Sequence, residues 1–175
     1  FPTRRSSDLF EFVESGFCTG EYNMKYDIDR AIEYSEEKCL PMFRLYAWKP
    51  LAVSLGANQK EDDIDMEECK KRDFSLVRRP TGGRAVLHAD ELTYSIVLKK
   101  RENYNIHDIY KDIHIFLLDS FKKLGIDDIE FEKSQADFKT FYKESNFSVS
   151  CFASSARYEI SWHNKKIVGS AQRLF

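Results

Sequence analysis

The segment from Phe74 to Leu98 limits the possible folds more than any other part of the chain. Phe74 to Arg79 reads as a strand and stops at Pro80, a residue with no N–H to give to a sheet. Gly82-Gly83 follows. Ala85 to His88 and Leu92 to Leu98 read as two further strands, with turn residues between them. Upstream, Met42 to Trp48 (MFRLYAW) alternates and is rich in β-formers. Lys49-Pro50 makes a turn, and Leu51 to Leu55 reads as another strand.

Two segments change to a helical period. Met24, Ile28, Ala31 and Ile32 predict a helix over 21–37, with Pro41 just beyond its end. The stronger signal runs through Ile106, Ile109, Tyr110, Ile113, Phe116, Leu117, Ser120, Phe121 and Leu124, one apolar stripe, with Gly125 where a C-cap belongs. Lys60 to Lys71 is mostly polar and reads as a surface loop with a short helix. Ile129 and Phe131 alternate with acids in a short strand, and Lys133 to Ser148 is polar with no clear period. Tyr158, Ile160 and Trp162 alternate, His163-Asn164 turns, and Lys165 to Ala171 returns as the second arm of a hairpin. Strands and helices are mixed without a regular βαβ rhythm. That pattern predicts an α+β domain with a mixed, mostly antiparallel sheet and flanking helices.

Composition narrows the function classes. The chain has 175 residues, 42% of them hydrophobic, enough for one compact domain. Its net charge of −2 lacks the basic excess that phosphate neutralisation needs, so no nucleic-acid partner is expected. No apolar run approaches the roughly 18 residues of a membrane span. The four cysteines, Cys18, Cys39, Cys69 and Cys151, are scattered, with no Cys-x-x-Cys pair. Free thiols in a reduced, cytoplasmic protein are expected, with no metal site.

The first nine residues, FPTRRSSDL, resemble a translated sequencing adaptor and are read as an artefactual leader. The domain is then expected to occupy 10–175 and to lack its C-terminal part, because Ala171 to Phe175 stops without a turn or cap.

The segment with the most chemistry in it is RRPTGGRAVLHADELTYS, Arg78 to Ser95. Paired glycines allow positive φ and let backbone amides approach a ligand that a Cβ would block. Arg78, Arg79 and Arg84 flank them and can pair with phosphate or carboxylate. On local grounds an anion- or cofactor-approach loop competes with an ordinary Gly-Gly turn. A P-loop is excluded, since Gly-Lys-Ser/Thr is missing.

RRPTGGRAVLH followed by ELTYS closely resembles the signature of the lipoate/octanoate/biotin protein ligase and transferase superfamily. FVESGFCTGEYNM (12–24) is similar to the family's opening helix entry, and FRLYAWKPLAVSLGANQ (43–59) to its first strand pair. CFASSARYEI (151–160) and KIVGSAQ (166–172) are similar to its acyl-transfer segment. The order of these motifs, from about Phe10 onward, most resembles the cysteine-type octanoyl-acyl-carrier-protein:protein N-octanoyltransferases. The resemblance implies a biotin/lipoate ligase-like catalytic domain. Departures exist: Arg84 stands where ligases often carry a third glycine, and Ala153, Ser155 and Arg157 replace the family's frequent aspartate, proline and aromatic.

What the resemblance implies for chemistry is specific. Cys151 is the expected nucleophile, because thiolate is the reactive form and exchange between thioesters is nearly isoenergetic. Lys166 is expected to contact the acyl carbonyl and to favour the thiolate. Arg78, Arg79, Gly82, Gly83, Arg84 and His88 are expected to bind substrate, with His88 beside the pocket or holding the loop. Tyr94 and Ser95 are expected to line it. The donor would be octanoyl-acyl carrier protein, and the acceptor a lysine of a lipoyl-domain protein such as the glycine-cleavage H protein. No cofactor is expected, and a monomer is. Three alternatives stay open: an ATP- and Mg-dependent lipoate–protein ligase, an amidotransferase between lipoyl domains, and an inert binding fragment.

Overall fold

The computed structural model describes residues 9–100, 102–131 and 160–174. These fall into two units, one formed by 9–99 with 173–174 and the other by 100, 102–131 and 160–172. Cys151 and most of its segment lie outside the described residues, as do 1–8 and 133–148.

The first unit holds two three-stranded sheets. Strands β1 (Glu11–Cys18), β2 (Met42–Trp48) and β6 (Thr93–Val97) form one, in the order β1-β2-β6. Strands β3 (Ala52–Leu55), β4 (Ser75–Arg78) and β5 (Val86–His88) form the other, in the order β4-β3-β5. In each sheet one pairing is parallel and one antiparallel: β1–β2 and β3–β4 run parallel, β2–β6 and β3–β5 antiparallel. Helix α1 (Gly20–Ser35) begins on Thr19, whose hydroxyl accepts from the Tyr22 N–H at 3.2 Å, and the short helix α2 (Met66–Lys71) begins on Asp65. The Lys49-Pro50 bond between β2 and β3 is cis.

Burial follows the sequence alternation closely in β2. Met42, Arg44, Tyr46 and Trp48 are buried, and the residues between them are half-buried. Tyr46 and Trp48 join Met24 of α1, Ala52 of β3 and Val77 of β4 in one cluster. Val53, Leu55 and Ala85 form a second, against Ile64, Cys69, Phe74 and Leu76.

Arg44 is the exception on that face, being fully buried. Its guanidinium donates to Asp27 Oδ1 at 2.8 Å, Asn23 Oδ1 at 2.7 Å and Ser15 Oγ at 2.8 Å, and it lies 4.1 Å and 4.3 Å from the ring centres of Tyr46 and Tyr26. A buried cation needs this completeness of partners, because each unmet donor costs its full desolvation. Burial pushes the Asp27 carboxyl pKa up, against the opposing pull of Arg44, Tyr46 and Ser95.

The second unit contains α3 (Ile106–Lys123) and the antiparallel sheet β7 (Ile129–Phe131), β8 (Ile160–Trp162), β9 (Lys165–Val168), in that order. Asn105 caps α3 and exchanges hydrogen bonds with Asp108 in a capping box. At the other end Gly125 takes φ +84°, and the Ile126 N–H reaches back to the Phe121 carbonyl at 3.1 Å, which closes the helix. His163 and Asn164 both have positive φ, as the two-residue turn between β8 and β9 requires.

The α3 stripe largely follows its sequence expectation: Ile106, Ile109, Tyr110, Ile113, Leu117, Ser120 and Phe121 are half-buried. Phe116 is 54% exposed, and His114 is the fully buried side chain of the helix. Across the described residues four of six strand pairings are antiparallel, so the mixed, mostly antiparallel α+β expectation holds.

Candidate functional site

The Gly-Gly loop joins β4 to β5 and is held by the two arginines that precede it. Arg79 donates through Nη1 to the Ser54 carbonyl at 2.8 Å and through Nη2 to the carbonyls of Gly82 at 2.9 Å and Arg84 at 2.6 Å. Arg78 donates through Nη1 to the carbonyls of Gly56 at 2.9 Å and Gln59 at 2.6 Å, and its Nη2 lies 3.4 Å from Glu61. The sequence alone suggests anion pairing for these guanidinium groups; in the structure most of their contacts are backbone oxygens, with Glu61 beside Arg78, and these contacts set the path of the loop. The loop passes close over the end of β3. A Cβ on Gly56 would stand 1.9 Å from the Gly83 carbonyl oxygen, whereas one on Gly82 would meet nothing within 4 Å. Gly83 itself has φ +94°, which an L side chain rarely adopts.

His88, at the end of β5, sits in a chain of hydrogen bonds. Trp48 Nε1 donates to Thr93 Oγ1 at 2.8 Å, and Thr93 donates to Glu91 Oε1 at 2.8 Å. The same carboxylate oxygen receives His88 Nδ1–H. Because an ionised carboxylate only accepts, Nδ1 carries a proton toward Glu91, and Nε2 lies 2.7 Å from Ser54 Oγ. Ser54 in turn accepts from Arg79 Nη1 at 3.1 Å. Burial by itself raises the Glu91 pKa, but His88 and Thr93 more than offset it, and the carboxyl is held below its ordinary range. The chain runs from the indole of β2 to the guanidinium that closes the Gly-Gly loop. These contacts support His88 as a loop-holding residue.

Sequence reasoning missed Trp48, Ser54, Glu91 and Thr93. Glu91 stands three residues after His88 across a turn, a spacing that could have suggested it. Tyr94 stacks on Phe43 with centroids 6.3 Å apart, and Ser95 pairs with Arg44 between β2 and β6, so both belong to the sheet from which they project.

In the second unit Lys166 lies on β9 opposite Ser161, and Ser170 follows the strand end. Ser170 Oγ lies 3.2 Å from His114 Nε2, and the Lys166 ammonium acts on the same histidine, lowering its pKa together with burial. Among the described residues no group of three or more histidine, cysteine or acidic side chains stands together as a metal site, and no helix is long and apolar enough to cross a membrane.

Residues 20–175 match the lipoyl protein ligase A/B catalytic domain. The chain belongs to that family. It is 35% identical over 175 residues to the octanoyltransferase LipM of Geobacillus kaustophilus, covering 95% of this chain and 61% of that one. It is 33% identical over 169 residues to LipM of Bacillus subtilis, covering 94% and 60%. The chain thus spans about three-fifths of the length of these relatives. Among solved structures, lipoate-protein ligase A bound with ATP superposes with a TM-score of 0.70 at 23% identity, covering 95% of this chain and 61% of that one. The lipoate protein ligase of Thermoplasma acidophilum with bound lipoic acid also gives 0.70 at 23% identity, covering 95% and 64%. At such identity the likeness shows the fold, a lipoate-protein ligase-like α+β domain.

Proposed function

We propose that this catalytic domain transfers an octanoyl group through a cysteine thioester to a lysine of a lipoyl-domain protein. The observation that carries the reading is the identity of 33–35% to octanoyltransferases along nearly the whole chain. The ordered motifs from Phe12 to Gln172 support it.

In the first half-reaction the Cys151 thiolate attacks the carbonyl carbon of an octanoyl thioester, for which acyl carrier protein is the donor. The new C–S bond forms as the donor's C–S bond breaks, and the carrier leaves as its thiol after taking a proton. In the second, the amine of the acceptor lysine attacks the acyl-enzyme. A C–N bond forms, the amine proton passes to solvent, and Cys151 returns as thiolate. The thioester is already activated, so neither ATP nor metal enters the balance.

Lys166 is the cation for the carbonyl oxygen, where negative charge develops in both tetrahedral intermediates. The Gly-Gly loop, closed by Arg78 and Arg79 and tied to His88, offers backbone amides for close approach of the acyl group. A lipoyl-domain acceptor such as the glycine-cleavage H protein fits the product. One solved relative, an archaeal bipartite lipoate protein ligase described with its E2 lipoyl domain, is 26% identical with a TM-score of 0.56, covering 67% of this chain and 46% of that one.

The test is mass spectrometry after mixing with octanoyl-acyl carrier protein alone. One octanoyl mass should appear on the protein, be released by hydroxylamine and move to an added lipoyl domain. Cys151→Ser should lose turnover, while Cys18→Ser, Cys39→Ser and Cys69→Ser keep it. Turnover by Cys151→Ser that requires ATP would replace this reading with an ATP-dependent ligase.

A further inference from the structure

On α3 one polar side chain turns fully inward. His114 Nδ1 lies 2.8 Å from the Tyr110 carbonyl oxygen, one helical turn back. A carbonyl only accepts, so Nδ1 carries a proton. With that proton fixed, the neutral ring offers Nε2 as an acceptor, and the hydroxyl of Ser170 donates to it across 3.2 Å. The Tyr110 ring stacks on the imidazole, with centroids 4.0 Å apart and 24° between planes. Burial holds the His114 pKa down, the Tyr110 carbonyl pulls the other way, and the nearby Lys166 ammonium lowers it further. All three influences are accounted for by an uncharged ring with a single tautomer.

A leucine at this place would bury with no polar group to satisfy. The imidazole instead spends both nitrogens, one on its own helix and one on the segment that carries Lys166. Ser170 lies four residues after Lys166, just past the end of β9 at Val168. The His114–Ser170 hydrogen bond therefore anchors the strand end nearest the lysine to a long, doubly capped helix. Fixing a charged group to within fractions of an ångström is what stabilisation of a developing oxyanion needs, since donors must already be in place when charge appears.

We propose that His114 is a positioning residue for acyl transfer, a neutral imidazole that accepts from Ser170 and so sets the place of the Lys166 ammonium. The proposal rests on the reading of Lys166 as the carbonyl-binding cation, and its role is exerted through Lys166, without contact to the acyl group.

The experiment uses the full chain and four variants: His114→Leu, His114→Gln, Ser170→Ala and the His114→Leu/Ser170→Ala pair. Single-turnover acylation of Cys151 by octanoyl-acyl carrier protein is followed over a range of donor concentration. His114→Leu and Ser170→Ala should each slow acylation at saturating donor by roughly tenfold, the size of one lost hydrogen bond, with the half-saturating donor concentration little changed. The pair should be no slower than the slower single variant, because both remove the same contact. His114→Gln, whose amide oxygen reaches about as far as Nε2, should recover most of the rate. Additive losses, or a glutamine variant as slow as the leucine variant, would overturn the proposal.

A second readout does not need turnover. After reductive 13C-methylation, the Lys166 methyl signal, assigned with Lys166→Arg, should move in His114→Leu and Ser170→Ala alike and return in His114→Gln. If the unaltered chain forms no acyl-enzyme, octanoyl transfer itself is refuted, and this signal alone decides whether His114 positions Lys166. A Lys166 signal indifferent to both substitutions refutes the positioning role whether or not transfer occurs.

Discussion

The imidazole of His88 lies flat on the indole of Trp48, with ring centroids 3.9 Å apart and 14° between the planes. The two residues come from different sheets of the first unit, β5 and β2, and they are joined twice, by this stack and by the chain Trp48–Thr93–Glu91–His88. The second connection extends through Ser54 to Arg79 and hence to the Gly-Gly loop.

His88→Phe keeps a flat ring over Trp48 but deletes both ring nitrogens. It leaves Glu91 without its histidine donor and Ser54 without its ring partner, at a cost of about 1–3 kcal/mol for buried polar groups that lose a partner. His88→Leu removes the stacking as well and should lose about 1 kcal/mol more. Urea unfolding at pH 7 gives both values. Equal losses would mean that the ring face contributes nothing.

Glu91 supplies a pH test of the same chain. Its folded pKa is lower than the ordinary value of 4.5. A depressed carboxyl binds fewer protons in the folded than in the unfolded state, so its contribution to stability is fully present above pH 4.5 and is lost as pH falls through the folded pKa. Glu91→Gln should therefore lower stability near neutrality and flatten the fall in stability below pH 4.5. Parallel denaturation curves for the two proteins across that acid range would refute it.

The glycines of the loop should separate sharply. Gly56→Ala places its methyl carbon against the Gly83 carbonyl, backbone that cannot swing aside as a side chain would. The expected cost is about 1–3 kcal/mol, as for an overpacked core. Gly82→Ala meets open space and should stay within about 0.5 kcal/mol of the starting protein. Thermal denaturation of the two variants checks this, and the loss in Gly56→Ala should be accompanied by slower octanoyl loading.

The residues differ in how much of this was legible beforehand. Strand β2 was read to the residue because it is rich in β-formers and is bounded by Pro41 and the Lys49-Pro50 turn, even though Arg44 stands on its buried face. Strand β1 was not read from its own residues. Gly16 at φ +61° and a register shift between Glu14 and Phe17 break the alternation, and Phe12 and Phe17 are exposed on an edge strand. The motif around Gly82-Gly83 was visible, but the work of Arg78 and Arg79 was not, since several of their acceptors are carbonyls of β3 and its following turn, distant in sequence. His114 was invisible for a related reason: its Ser170 partner is 56 residues away, and a polar residue beside an apolar stripe looks solvated until the helix is packed. Cys151, named from sequence, lies outside the described residues, so its role stays with the proposed reaction.

Arg44 offers the largest expected effect, with a pH signature of its own. Arg44→Met keeps the length and the apolar stem but removes the charge, leaving Asp27, Asn23 and Ser15 facing a thioether. Removing one member of a buried pair costs about 3–5 kcal/mol near neutral pH. Burial already pushes the Asp27 pKa up while Arg44 pulls it down, so loss of Arg44 leaves the upward push less opposed. A carboxyl with a raised folded pKa binds more protons folded than unfolded, and stability then falls as pH rises above the ordinary aspartate value of 3.8 toward the folded one. Arg44→Met should thus be closest to the starting protein near pH 4 and diverge from it as pH rises toward 7. Adding Asp27→Leu removes the orphaned carboxyl and should restore most of the loss at pH 7, because apolar replacement of a whole buried pair is often neutral. Urea unfolding of the single and double variants at several pH values decides it: a deficit independent of pH, or a double variant as weak as the single, would mean that Arg44 acts through its packing against Tyr26 and Tyr46 and not through its charge.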